Sequence, residues 1–174
     1  MKTVDLAKEF TVCVFGVPTS GKTTILEYVQ KNTAVLQRIT RTETIDCVLT
    51  LRTEIQSKHY KFVTVAGAVF RPEESISEAL RCADIIIYLI DALDLWERDY
   101  QAAELEEFTR KAESFGKGWE DVPWIFALNK IDHARTNPIV MKIPRTFRDK
   151  VVEISALHGT GMQKLMEQIV ACGL

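Results

Sequence analysis

Residues 16–23 read Gly16-Val17-Pro18-Thr19-Ser20-Gly21-Lys22-Thr23, which meets the phosphate-loop pattern G-x-x-x-x-G-K-[ST] at every defined position. Such glycines let the backbone wrap an anion with successive N–H groups turned inward, and the helix that follows adds the positive end of its dipole. The flanks have the required order. Thr11 to Phe15 is an apolar, β-branched run, and Thr24 to Val29 has helical periodicity. The octet therefore predicts a bound nucleoside triphosphate held by Thr19, Ser20, Gly21, Lys22, Thr23 and Thr24, against the weaker alternative of a glycine turn that merely joins strand to helix. Lys22 would neutralise the outer phosphates and Thr23 would ligate Mg²⁺. Pro18 has no N–H to give, so the tightest contacts are expected from Ser20 through Thr24, with slower catalysis as the consequence.

A chain of 174 residues, 47% hydrophobic, can bury one full core, and a single domain over residues 1–174 is expected. The formal charge of −2 leaves no surplus of Lys and Arg to release counterions, which predicts that nucleic acid is not a partner. The longest apolar stretch, Ala83 to Leu95, is interrupted by Asp91 and Asp94 and is too short to span a bilayer. The first residues lack a signal-peptide core and a myristoylation glycine, and Cys172 sits one place too near the end for prenylation. A cytoplasmic protein without a direct membrane anchor is expected. The four cysteines, Cys13, Cys47, Cys82 and Cys172, show no C-x-x-C spacing, and most are expected to be buried thiols.

Strand-like runs recur at 11–16, 46–54, 61–66, 84–91, 123–128 and 151–155, and helical patterns at 21–31, 73–82, 96–115, about 137–148 and 161–172. Pro138 and Pro144 weaken the fourth helix. The alternation predicts an α/β fold with helices on both faces of a mostly parallel, six-stranded sheet. Runs such as Ala83 to Ile90 are apolar without alternation apart from Asp84, as parallel strands covered on both faces require. The short connection Gln56-Ser57-Lys58-His59 cannot hold a crossover helix, so the strands around it form an antiparallel hairpin at one edge. Trp96, Trp119 and Trp124 read as core or helix-rim anchors, and His59, His133 and His158 have no sequence partner that points to catalysis or a metal.

After one apolar run comes Asn129-Lys130-Ile131-Asp132, the N-K-x-D pattern of guanine recognition. A carboxylate at Asp132 accepts two hydrogen bonds, from the N1–H and exocyclic amine of guanine; adenine has no donor at either place. Leaving that carboxylate unpaired costs about 1–3 kcal/mol or more, so adenine is rejected. Asn129 would buttress the loop, and the stem of Lys130 would cover the ring face. Ser155-Ala156-Leu157 follows a further strand, where the Ala156 N–H would meet the guanine carbonyl. Guanine, as GTP or GDP, is the expected ligand.

These three segments, in this order, resemble the Ras-like small GTPases over residues 10–172, which implies a P-loop G domain. The resemblance implies an Asp-x-x-Gly after strand three, and here Thr64-Val65-Ala66-Gly67 stands in its place. Gly67 keeps the γ-phosphate contact, while Thr64 brings a hydroxyl without charge to a metal-bound water. Thr64-Val65-Ala66-Gly67-Ala68-Val69-Phe70 resembles the MglA-type bacterial small GTPases of cell polarity and gliding. That narrower likeness implies a roadblock-type dimeric activator as protein partner. By Ras-like spacing Thr42, 22 residues before Thr64, is chosen for Mg²⁺ and the γ-phosphate, with Thr40 and Thr44 as alternatives in a first switch at 38–46. Arg41 would be an arginine finger from within the chain or a solvated loop residue.

The residue after Gly67 is Ala68 where the family has a water-orienting glutamine, which predicts slow unaided hydrolysis. Two other functions fit less of the sequence: a module that holds GTP or GDP with little hydrolysis, and a P-loop kinase or ATPase that makes Asn129 to Asp132 a coincidence.

Overall fold

Apolar runs that leave no polar face must be covered on both sides, and they form the centre of the sheet. The computed structural model describes residues 8–42, 47–66, 73–93, 98–132, 145–148 and 150–173. In chain order its elements are β1 (Glu9–Gly16), α1 (Lys22–Asn32), β2 (Ala34–Arg41), β3 (Cys47–Ile55), β4 (Lys58–Ala66), α2 (Glu73–Cys82), β5 (Ile85–Asp91), α3 (Arg98–Ser114), β6 (Trp124–Asn129), α4 (Arg145–Arg148), β7 (Val152–Ile154) and α5 (Met162–Cys172). The strands form one sheet in the order β2-β3-β4-β1-β5-β6-β7. From β4 to β7 every pairing is parallel.

The expected α/β architecture holds with seven strands rather than six. The added strand is β2, which takes residues 38–41 of the expected first switch into an antiparallel pairing with β3. It sits at the sheet edge, and apart from half-buried Ile39 its residues are exposed, so it carries no period-2 burial to read. Two register shifts against β3, between Val35 and Gln37 and between Gln37 and Thr40, suit an edge. The β3–β4 hairpin turns on two residues, Gln56 and Ser57, whose φ values of 49° and 62° match a type I′ turn. Lys58 and His59, expected in the connection, already belong to β4.

Helices cover both faces. On one side, Ile25, Leu26 and Val29 of α1 and Met162, Leu165 and Ile169 of α5 pack with Val12, Val14, Phe62, Ile87 and Ala127. On the other, Ile76 and Leu80 of α2 and Leu105 and Phe108 of α3 pack with Phe15, Val65, Tyr88 and Phe126. The alternation of Val12, Val14 against Cys13, Phe15 is the period of two that a strand imposes. Trp124 is a buried anchor, with the ring of Trp119 edge-on against it at 6.1 Å. The fourth expected helix is described only at Arg145–Arg148, and Trp96 and His133 lie outside the described residues.

The expectation of mostly buried thiols is corrected: Cys13 is buried, Cys82 exposed and Cys172 half-buried. Cys82 falls on the outer side of α2, a facing that the sequence pattern did not disclose. Burial first, and then neighbouring Cys82, pushes the Cys13 thiol up to about 12. Thiol labelling of the native protein, read by peptide mass spectrometry, is expected at Cys82 well before Cys13, which should react only on unfolding. Equal labelling would contradict the β1–α2 packing. Among the described residues no helix is long and apolar enough to cross a membrane.

Candidate nucleotide site

The sheet order departs in opposite directions on the two sides of β1, toward β4 and toward β5. In open α/β sheets ligands bind at such a point, beyond the carboxyl ends of the strands. Residues 16–23 occupy that place. A Cβ on Gly16 would lie 2.7 Å from the Leu89 carbonyl oxygen, so only glycine lets β1 turn this close to β5. Thr19 takes a left-handed φ of 64°, and the Ser20 N–H closes the turn on the Val17 carbonyl at 3.2 Å. Gly21, at φ 100°, caps α1 without a side-chain bond, and the first turn of α1 carries no acid. The positive end of α1 thus meets no competing carboxylate of its own.

Lys22 Nζ donates to the carbonyls of Gly16 and Val17 at 3.0 and 2.9 Å, folding back over the loop. Thr23 is exposed on the first turn of α1, and Thr24 is half-buried. Among the described residues no cluster of His, Cys, Asp and Glu would hold a metal by itself. Thr23 offers one exposed, neutral hydroxyl oxygen, a donor of the type that Mg²⁺ takes.

Asn129, buried at the end of β6, joins the two halves of the site. Its Nδ2 donates to the Ser20 carbonyl at 2.8 Å, and its Oδ1 accepts the Ala156 N–H at 3.0 Å. One side chain thereby ties the phosphate loop to the segment Ser155-Ala156-Leu157. Ser155 is buried, and its N–H bonds the Thr160 carbonyl at 2.9 Å to close that loop. Leu157, 74% exposed, stands at its tip. Asp132 meets the imidazole of His158, with Nε2 at 3.5 Å from Oδ2, so His158 gains a partner the sequence did not disclose.

Lys130 has φ of 69° and turns its ammonium onto the buried Asp91 at 2.6 Å. Neither Asp91 nor Gln101, which holds it, was singled out as functional from sequence; the available signal was a lone carboxylate ending the apolar run 85–90.

The first-switch candidates stand apart. Thr42 pairs with Val48 of β3 through its N–H at 3.1 Å, and its hydroxyl takes the Val48 N–H at 3.2 Å. Arg41 is exposed and pairs with Leu49. Both lie at the end of β2, three strands from β1. Thr40 is likewise exposed on β2, and Thr44 lies outside the described residues. The Thr64 hydroxyl, expected near a metal-bound water, is 1% exposed and donates to the Val14 carbonyl at 2.9 Å. Gly67 and Ala68 lie outside the described residues.

The model of the family described as "Arf: ADP-ribosylation factor family" matches residues 1–172. The chain belongs to the ADP-ribosylation factor family. Its fold is that of a P-loop GTPase G domain. This ADP-ribosylation factor family member is 26% identical over 182 residues to the GTPase Era of Rickettsia bellii, covering 97% of this chain and 57% of Era. It spans 32% to 57% of the lengths of the curated GTPases it matches. The G domain of the T. maritima FeoB iron transporter is 19% identical with a TM-score of 0.66, over 96% of this chain and 100% of that one. Era in complex with MgGDPNP and nucleotides 1506–1542 of 16S ribosomal RNA is 21% identical with a TM-score of 0.60, over 95% and 57%.

That last complex corrects the exclusion of nucleic acid. A protein that contains this fold, matched over 57% of its length, is bound there to ribosomal RNA, so the expected exclusion of nucleic acid, drawn from a net charge of −2, does not stand. Net charge sums the whole surface, whereas phosphate contacts depend on where the cations lie.

Proposed function

We propose that this chain is a G domain, over residues 1–174, that binds GTP and GDP with Mg²⁺ and hydrolyses GTP slowly. The observation that carries the reading is the pair of hydrogen bonds that Asn129 makes, donating to the Ser20 carbonyl and accepting the Ala156 N–H, because it ties a phosphate loop to a base loop. In this reading the backbone N–H groups of Ser20 to Thr24 surround the phosphates, and Lys22 leaves the Gly16 and Val17 carbonyls to meet their charge. Asp132 receives the two guanine donors, and the exposed Leu157 lies over the base. When bound, Mg²⁺ would neutralise charge on the outer phosphates, with Thr23 and, after the first switch swings off β3, Thr42 as its protein ligands.

Hydrolysis is slow because Ala68 can neither orient nor polarise a water, and the Thr64 hydroxyl already donates its hydrogen bond to the Val14 carbonyl. Arg41, or a group from a regulatory partner, would supply the missing stabilisation of γ-phosphate charge. A role in polarity or motility rests on the MglA-type resemblance alone, carried by Thr64 to Phe70, Thr23 to Tyr28 and Arg41-Thr42 followed by Asp46. The test is the nucleotide that co-purifies, identified by chromatography, with single-turnover hydrolysis of GTP. Guanine nucleotide and an unaided rate on the order of 10⁻³ s⁻¹ or slower are expected. Bound ATP would overturn the base assignment, and rapid turnover without a partner would overturn the slow switch.

A further inference from the structure

We infer that Asp91 and Gln101 are positioning residues for guanine recognition, acting through Lys130; the inference rests on the guanine reading above. Parallel pairing of β5 with β6 sets Asp91 opposite Asn129, one residue before Lys130. The Asp91 side chain is 0% exposed, and burial of a carboxylate is tolerated when a cation and hydrogen bonds meet it. Lys130 Nζ meets Oδ2 at 2.6 Å, and the Leu93 N–H meets Oδ1 at 3.0 Å. Gln101, buried on α3, clamps the backbone of the same residue: its Oε1 accepts the Asp91 N–H, and its Nε2 donates to the Asp91 carbonyl, both at 3.1 Å.

The chain of contacts runs from α3 through the end of β5 to the second residue of Asn129-Lys130-Ile131-Asp132. A free lysine would lose its rotamer freedom when the base arrived. Here that freedom is already spent on folding, so the four-carbon stem is a fixed wall for the ring. The left-handed backbone at Lys130 serves the same end, turning the side chain back toward β5.

The test compares a fluorescent GDP with inorganic tripolyphosphate, which competes for the phosphate loop and has no base. Asp91→Asn keeps the size and the Leu93 bond but removes the charge. It should weaken GDP roughly tenfold, the loss of one charge-assisted hydrogen bond, and leave tripolyphosphate unchanged. In a Lys130→Met background, Asp91→Asn should cost GDP nothing further. Gln101→Met, which leaves the carboxylate and the lysine in place, should weaken GDP several-fold with tripolyphosphate unchanged, and it carries the test should Asp91→Asn melt early. Equal losses of both ligands, or an Asp91→Asn loss that persists beside Lys130→Met, would overturn the inference. Lys130→Met alone holding GDP as tightly as the parent would refute the guanine reading of this loop itself.

Discussion

Asp132→Asn should exchange the base preference of the protein from guanine to xanthine. Guanine offers two donors on one edge, N1–H and the exocyclic amine, and a carboxylate accepts both. An asparagine there turns one acceptor into a donor. It then faces the guanine amine donor to donor, whereas xanthine presents a carbonyl at the same place. The loss for GTP should reach about a hundredfold, because a charged acceptor is removed and a donor is left opposed. Xanthosine triphosphate should gain by a comparable factor. His158 stays within reach of the new side chain, so the loop keeps a polar neighbour and the change is confined to the base. Competition titrations of GTP against xanthosine triphosphate read the exchange directly. A preference that does not move would refute Asp132 as the base-reading residue.

Asn129→Ala should be the most damaging single truncation at the site. Two buried backbone groups lose their partner together, the Ser20 carbonyl and the Ala156 N–H. Each costs about 1–3 kcal/mol when left unmet. For a chain of this size each kcal/mol lowers the melting temperature by about 2–4 °C, so a fall of roughly 5–20 °C is expected. Nucleotide release should quicken at the same time, since the phosphate loop and base loop are no longer held together. Gly21→Ala attacks the same strut from the other side. A Cβ there would come within 2.2 Å of Asn129 Nδ2, at a φ of 100° that alanine resists. The two variants should therefore fail alike in thermal melts and release rates. If Gly21→Ala behaves as the parent does, the strut is not what holds the site.

The parts of the site legible in sequence are those whose chemistry is contiguous. Residues 16–23, Asn129 to Asp132 and Ser155 to Leu157 each carry their meaning within a few positions, and each lies at the carboxyl end of a strand. The parallel core was equally legible, since Ile85 to Ile90 has no polar face to misplace. Edge strand β2 was not. Its mix of Val35, Leu36, Gln37 and Arg38 follows no burial, because almost nothing there is buried. Contacts set by strand register were hidden for a different reason. Asp91 and Lys130 are 39 positions apart, and only the pairing of β5 with β6 makes them neighbours. Cys82 needed the facing of α2, and the nucleic-acid exclusion failed because a total charge is not a map.

The bond between Ser20 and Asn129 spans 109 positions, and Ala156 joins the same carboxamide from 27 positions further on. During synthesis the phosphate loop leaves the ribosome long before its counterpart exists. A nascent chain ending before Ala156 has its glycine loop and its Asn129 carboxamide, but the Oδ1 of that carboxamide still lacks the Ala156 N–H that fixes it. On the nucleotide-binding reading, the grip is therefore complete only once β7 has docked beside β6 and brought Ala156 to the Asn129 carboxamide.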